Sequence, residues 1–252
     1  NVTTPYVSGN AVVWTPPSGE SSGYIPLGNH RFPFKFLLPL NCPSSFVGRH
    51  GSIRYYCKAR ICRRFKTEKK AEQGFTVKNP SDLNLIPNAF SALQIVQSKE
   101  MGFLWFKNGM ISITVRLPKR GFVPGETIPL EADIVNYSSK TIENIQVKLV
   151  QYSNYTVCRG DEVGSSVPIE TNVVANNFIL TVVIRNQEVE IPKGETVKFT
   201  RLAPIPPVVP SFNNCPIINV EYYLKIEMKT SGLLRKKASV QLPLIIGTIP
   251  LR

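Results

Sequence analysis

The sequence predicts an all-β chain built as two consecutive immunoglobulin-like β-sandwich domains, residues 1–105 and 106–252. Three observations predict it. Apolar and polar residues alternate with period two from end to end, the pattern of strands with one face in a core and one in water. With 21 prolines, 16 glycines and 19% charged residues, the chain is rich in turns and poor in long helices. No stretch carries a three-to-four-residue apolar period capped at both ends. At 252 residues and 42% hydrophobic content, the chain has enough apolar side chains for two cores, or for one large all-β domain.

Residues 1–29, rich in Gly, Ser and Pro, read as loop and edge strand. The first strand is expected where Phe32, Phe34, Phe36 and Leu38 alternate with Arg31, Pro33, Lys35 and Leu37. The next runs through Ile53, Tyr55, Cys57, Ala59 and Ile61, with Ser52, Arg54, Tyr56, Lys58 and Arg60 on its other face. Residues 79–94 suit a short helix or an irregular connector. After it, fresh strands are expected around Ile111–Leu117, Ile128–Ile134, Ile145–Leu149, Val220–Met228 and Val240–Ile246. Between them Val123-Pro124-Gly125-Glu126 and Pro192-Lys193-Gly194-Glu195 have the composition of type II turns. Short strands at such spacing argue for sandwiches.

No catalytic apparatus is legible. His30 and His50 each precede a strand with no Ser, Cys or carboxylate pattern beside them, which fits structural histidines better than catalytic ones. No zinc spacing, phosphate-binding glycine loop or nucleophile elbow occurs. Carboxylates are few and scattered, so no enzyme, cofactor or metal site is expected.

Charge is distributed unevenly. The formal net charge is +13, and between Arg49 and Lys70 nine cations (Arg49, Arg54, Lys58, Arg60, Arg63, Arg64, Lys66, Lys69, Lys70) meet one acid, Glu68, a local net of +8. This segment is the candidate patch for an acidic partner: an anionic phospholipid surface, a phosphorylated or acidic peptide, or nucleic acid. Of the aromatics in this segment, Tyr55 alternates to the other strand face, so only Tyr56 and Phe65 fall in the patch, and no helix is offered to a groove, so nucleic acid is not expected. A solvated strand face and loop would carry the same residues.

Two features pull apart on compartment. Asn1-Val2-Thr3, Asn136-Tyr137-Ser138 and Asn154-Tyr155-Thr156 fit the N-glycosylation acceptor pattern and favour a secreted immunoglobulin-like or cadherin-like adhesion module. The five cysteines (Cys42, Cys57, Cys62, Cys158, Cys215) are odd in number and sparse, which suits free thiols in a reducing compartment. No apolar run of about 18 residues and no leader pattern is present, although the sequence starts at Asn1 and not Met.

Longer phrases carry a resemblance. "GNHRFPFKFLLPLNCPSSFVGRHGSIRYYCKARI" (28–61) resembles the N-terminal arrestin domain of the α-arrestins, the arrestin domain-containing proteins. "ISITVRLPKRGFVPGETIPLEADIVNYSS" (111–139), "LAPIPPVVPSFNNCPIINVEYYLKI" (202–226) and "LPLIIGTIPLR" (242–252) resemble successive parts of its C-terminal arrestin domain. The resemblance implies two arrestin-type sandwiches, the first incomplete because that family's N-domain has further strands before this point. It implies a non-catalytic cytoplasmic adaptor, recruited to plasma membrane and endosomes, that binds cytoplasmic tails of transmembrane receptors or transporters and supports their endocytic sorting. HECT-type ubiquitin ligases are reached in the family through a P-P-x-Y tail. Here Pro16-Pro17 precede Ser-Gly and Pro206-Pro207 precede Val-Val, so ligase binding is expected only through a tail absent here. The buried phosphate-sensing arginine of visual and β-arrestins has no counterpart in "AEQGFTVKN" (71–79). A retromer-type arrestin-like coat subunit is the nearer alternative reading.

Overall fold

The computed structural model describes residues 3, 5, 7–16, 23–63, 66–100, 109–157, 174–232 and 237–252. It divides into two compact units, Asn1–Asn79 and Pro80–Arg252. The division comes earlier than the 105/106 boundary read from the sequence, which lies in 101–108, outside the described residues.

In the first unit, β1 (Phe46–Val47) and β2 (Ser52–Ile53) form a short antiparallel hairpin closed by a bond from Gly48 N–H to the Gly51 carbonyl (2.9 Å). A longer antiparallel pair follows, β3 (Tyr55–Arg63) and β4 (Lys66–Phe75). The proline-Ser-Ser-Phe turn is pinned from a distance in sequence. Ser45 N–H donates to the Val77 carbonyl (2.9 Å), Val77 N–H donates to Ser45 Oγ (3.0 Å), and Asn79 N–H donates to Ser44 Oγ (2.9 Å). The Asn79 amide donates onward to the carbonyls of Leu40 (3.1 Å) and Cys42 (2.8 Å). Cys42, Phe46 and Val77, on the segments that these bonds join, are buried apolar residues of this unit. The strand expected over Arg31–Leu38 does not form: those residues join no ladder among the described residues, and Phe32, Phe34 and Phe36 stay exposed. Alternation gave them a side-chain pattern without a neighbour to pair with, and a strand needs both.

The second unit is a two-sheet sandwich. Its connector forms a 3-10 turn at Leu83–Leu85, capped by Asp82, which accepts from Asn84 N–H (2.9 Å). Then come β5 (Leu93–Glu100), β6 (Met110–Leu117), β7 (Gly121–Phe122), β8 (Thr127–Asn136), β9 (Ile142–Val157), β10 (Val174–Ile191), β11 (Thr196–Pro204), β12 (Ile218–Thr230) and β13 (Lys237–Ile246). One sheet has the order β11-β8-β6-β5 and the other β10-β9-β12-β13-β7. All of these pairings are antiparallel except β13 with β7. Because β5 pairs with β6 from Leu93↔Leu117 to Glu100↔Met110, it is part of this sheet.

The core follows the alternation. Ile111, Ile113, Val115 and Leu117 of β6, Ile128, Leu130 and Ile134 of β8, and Val220, Tyr222, Leu224, Ile226 and Met228 of β12 are buried with the matching faces of β9 and β13. Tyr222 is buried with its hydroxyl satisfied: it donates to the Val209 carbonyl (2.7 Å) and sits 2.9 Å from Gln151 Oε1. Both expected turns form, with Gly125 at φ 87 and Gly194 at φ 85, the left-handed region a type II turn requires.

The connector is tied to the last residues of the chain. Ser81 O accepts from Thr248 N–H (2.8 Å) and Ile249 N–H (3.2 Å), and Leu83 N–H donates to Ile249 O (3.2 Å). Asn84 closes the tie, its amide donating to Pro250 O (2.9 Å) and its oxygen accepting from Arg252 N–H (3.0 Å). Gly247 lies so close to Leu83 that an added Cβ would meet that side chain at 2.5 Å, so no larger residue fits there without moving it.

Candidate functional site

The cationic segment is a hairpin exposed to solvent over most of its length. Arg49 lies in the turn between β1 and β2, and Arg54 between β2 and β3. Lys58, Arg60 and Arg63 are on β3, and Lys66, Lys69 and Lys70 on β4. Arg64 lies outside the described residues.

Register decides how these charges meet. Lys58 stands opposite Glu72, Arg60 opposite Lys70, Ile61 opposite Lys69, and Arg63 opposite Lys66, with a shift of register between Ile61 and Arg63. Residues directly opposite share a face, so Lys58, Arg60, Glu72 and Lys70 are together and Lys69 is on the reverse. Lys58 Nζ lies 3.2 Å from Glu72 Oε2, and Lys70 Nζ lies 3.2 Å from Glu68 Oε2. Lys58 also covers the Tyr56 ring at 5.5 Å. Hydrogen bonds from Lys70 and from the Cys62 thiol, followed by the Lys70 charge, hold the Glu68 carboxyl below its ordinary range. Two of the six described hairpin lysines and arginines are therefore balanced locally, and the cationic excess moves to Arg60, Arg63, Lys66 and Lys69. Arg63 Nη2 donates to the Thr67 carbonyl (2.8 Å), which holds its guanidinium at the strand junction. Glu72 is two residues beyond the segment counted in the sequence; knowing that β4 runs back along β3 would have found it.

A second charged cluster escaped the sequence reading altogether. On the outer face of the five-stranded sheet, Lys225 stands opposite Lys148, and Lys229 opposite Lys237, two like-charge pairs. Glu227 sits between them. Its Oε1 is 3.1 Å from Lys148 Nζ and 3.4 Å from Lys237 Nζ, its Oε2 is 3.6 Å from Lys225 Nζ, and its side chain is only 6% exposed. Burial works to raise its pKa, but the Lys148 and Lys237 ammonium groups outweigh burial and hold it below the ordinary value. The alternation placed each lysine on an outer face, but only register brings them to one carboxylate.

The three acceptor triplets fare differently. Asn136 is fully buried. Its amide nitrogen donates to the carbonyls of Lys140 (2.8 Å), Ile191 (2.9 Å) and Pro192 (3.2 Å), and its oxygen accepts from Ser138 N–H (3.1 Å) and Ser138 Oγ (2.6 Å). A sugar on that nitrogen is incompatible with this fold. Asn154 uses its amide on Asn219 Oδ1 (2.8 Å), across from it in β12, and Asn1 lies outside the described residues. The cysteines Cys42, Cys57, Cys62 and Cys215 are free thiols, and Cys158 lies outside the described residues.

Residues 107–251 match a family model for the C-terminal domain of arrestin (or S-antigen), and residues 1–84 match one for its N-terminal domain. The chain belongs to the arrestin family. Among curated relatives of this arrestin chain, arrestin domain-containing protein 4 of Homo sapiens is 31% identical over 236 residues, covering 93% of the chain and 52% of that protein. Arrestin domain-containing protein 17 of Caenorhabditis elegans is 29% identical over 234 residues (92% and 51%). Arrestin domain-containing protein 1 of Mus musculus is 31% identical over 235 residues (90% and 48%). The arrestin chain thus spans about half the length of the curated relatives it matches. The β3–β4 hairpin falls within the N-terminal match and the Glu227 cluster within the C-terminal one. No helix among the described residues is long and apolar enough to cross a membrane.

Proposed function

We propose that this arrestin chain is a non-catalytic cytosolic adaptor whose β3–β4 hairpin docks acidic cytoplasmic segments of transmembrane receptors or transporters beside the anionic inner leaflet, in the service of endocytic sorting. The observation that carries the proposal is the hairpin itself. It offers Arg60, Arg63, Lys66 and Lys69 on an exposed ribbon, beyond the cations that Glu68 and Glu72 engage. Each exposed cation near an anionic leaflet is worth roughly 1 kcal/mol within a Debye length of ~8 Å, so several together give detectable association and one alone does not. Membership of the arrestin family and similarity to arrestin domain-containing proteins support an adaptor over an enzyme. The buried amide of Asn136 and the free thiols support the cytosolic side over the secreted adhesion reading. Neither proline pair is followed by x-Tyr, so ubiquitin-ligase recruitment by these 252 residues is not part of the proposed role.

The test is co-sedimentation with phosphatidylserine vesicles, and pull-down on acidic cargo-tail peptides, for the chain and for the triple variant Arg63→Glu, Arg64→Glu, Lys66→Glu. The variant is expected to lose binding, with the loss largest at low salt, and to keep its thermal midpoint. Unaltered, salt-insensitive binding would refute the docking role. A glycosidase-sensitive mobility shift on the native protein would refute the cytosolic one. Co-purification of endosomal coat subunits would favour a coat component.

A further inference from the structure

One hydroxyl of the hairpin, that of Thr67, takes no part in the proposed docking. Arg63-Arg64-Phe65-Lys66-Thr67 places three cations in the four residues before a hydroxyl. Thr67 is exposed and is the second residue of β4. The register shift beside it leaves Thr67 without a Cα partner in the ladder among the described residues: Arg63 faces Lys66, and the next pair is Ile61 with Lys69. The Arg63 guanidinium already lies against the Thr67 main chain, 2.8 Å from its carbonyl oxygen.

We infer that Thr67 Oγ1 is a phosphoacceptor for a kinase that reads cations on the N-terminal side of its target, and that a phosphate there switches the hairpin patch off. The inference rests on the docking role proposed above. In the transfer, the γ-phosphoryl group of a nucleoside triphosphate passes to Thr67. The Oγ1–P bond forms as the bond to the β-phosphate bridging oxygen breaks, the hydroxyl proton goes to the kinase's base, and the diphosphate leaves. A kinase takes its substrate as an extended segment, and Thr67 presents one on a ribbon with a single neighbour, at the point where the ladder is already interrupted. Arg63, Arg64 and Lys66 are the cations such an enzyme would engage.

The product is self-limiting for docking. A phosphothreonine adds about −1.5 to −2 charges at neutral pH to a segment whose formal net is +8. Its oxygens are strong acceptors within reach of Arg63, so that guanidinium turns from a partner-facing cation into an internal one. Polybasic segments are released from anionic membranes by this kind of charge change, and the expected loss here is about tenfold or more. Ser52 is the natural comparator: it too is exposed with an arginine, Arg49, three residues before it, but it is paired with Val47 in the ladder and has no second arginine or lysine in that approach.

The whole chain, its Thr67→Val variant and its Ser52→Ala variant are incubated with a purified arginine-directed serine/threonine kinase and ATP. Sites are mapped by mass spectrometry, and binding is read on vesicles of equal parts phosphatidylserine and phosphatidylcholine. Phosphate on Thr67 of the chain and of Ser52→Ala, none on Thr67→Val beyond background, and about a tenfold weaker vesicle affinity of the phosphorylated chain are expected. Thr67→Ser should restore modification, and Thr67→Glu should lower affinity without a kinase. Phosphate mapped away from Thr67 would overturn the acceptor assignment. Full modification of Thr67 with unchanged vesicle affinity would overturn the switch while leaving docking intact. A chain that fails to bind vesicles before any modification would overturn the docking role and the switch with it.

Discussion

Strand β3 of the hairpin and the central strand β12 look alike as sequences and fare oppositely in the fold. β3 keeps period-two alternation from Tyr55 to Ile61, and β12 keeps it from Ile218 to Met228. In β12, flanked by β9 and β13, Ile226 is 0% exposed, whereas Ile61, on a ribbon with one partner strand, is 55% exposed. Alternation specifies a strand and its two faces. Burial is conferred by neighbours that come from elsewhere in the chain. The same contrast orders the charges, since on the hairpin glutamates and lysines meet in water, while at β12 a carboxylate is enclosed by lysine stems.

If that contrast governs stability, deleting apolar volume should matter only where neighbours close over it. Leu224→Ala, at a fully buried position, is expected to cost about 2–5 kcal/mol in urea unfolding, and Ile61→Ala under ~1 kcal/mol. Equal effects would mean that the hairpin is as enclosed as the sandwich. Next in size is Asn136→Ala, which takes one donor from each of three carbonyls inside the second unit. A loss of about 2–3 kcal/mol in the same measurement is expected, since abandoned buried acceptors cost ~1–3 kcal/mol, while Pro192 O keeps the Glu195 N–H (3.4 Å) and the Ser138 hydroxyl, released from Asn136, stands 3.1 Å from Lys140 O.

Glu227→Gln probes the enclosed charge. A loss of about 1–3 kcal/mol is expected, between the values for exposed and fully buried pairs, because lysine stems and not a core cover the carboxylate. The pH dependence has a definite sign. The folded-state pKa of Glu227 lies below its ordinary 4.5, so its contribution is present above that value and is lost as pH falls through the folded-state value. Thermal midpoints from pH 7 to pH 3, both nominal ends of roughly the carboxylate window, should fall less steeply for Glu227→Gln than for the parent. Parallel curves would show that Glu227 is not held below its ordinary value. The smallest effect is expected at Lys58 and Glu72, where a double-mutant cycle to alanine should return under ~1 kcal/mol and shrink further in salt.

Local rules made much of the fold legible. β3, β6, β8, β12 and β13 were each readable from alternation, and the two glycine turns from the need for positive φ at Gly125 and Gly194. β10 was not, because the run Phe178-Ile179-Leu180-Thr181-Val182-Val183-Ile184 is apolar without alternation. Arg31–Leu38 misled in the opposite sense, having the pattern but no ladder. At the candidate site the sequence located every cation but could not say which would be balanced, because Lys58 meets Glu72 only through the strand register. Asn136 carried a signal that pointed the wrong way: its triplet advertised a surface sugar, while the side chain serves as an internal clamp.

The tie between Ser81–Asn84 and Thr248–Arg252 bears on how this domain can be cut and rejoined. With Arg252 N–H bonded to Asn84, the first and last residues of the second unit are brought to one corner. Folded domains whose ends meet tolerate relocation of their termini. A gene that joins Arg252 to Pro80 through a few glycines and opens the chain at the exposed Lys193-Gly194 turn instead is expected to encode the same sandwich in a rotated order. Ends held this close are the geometry that insertion into a loop of a host protein requires, since both junctions then leave from one corner.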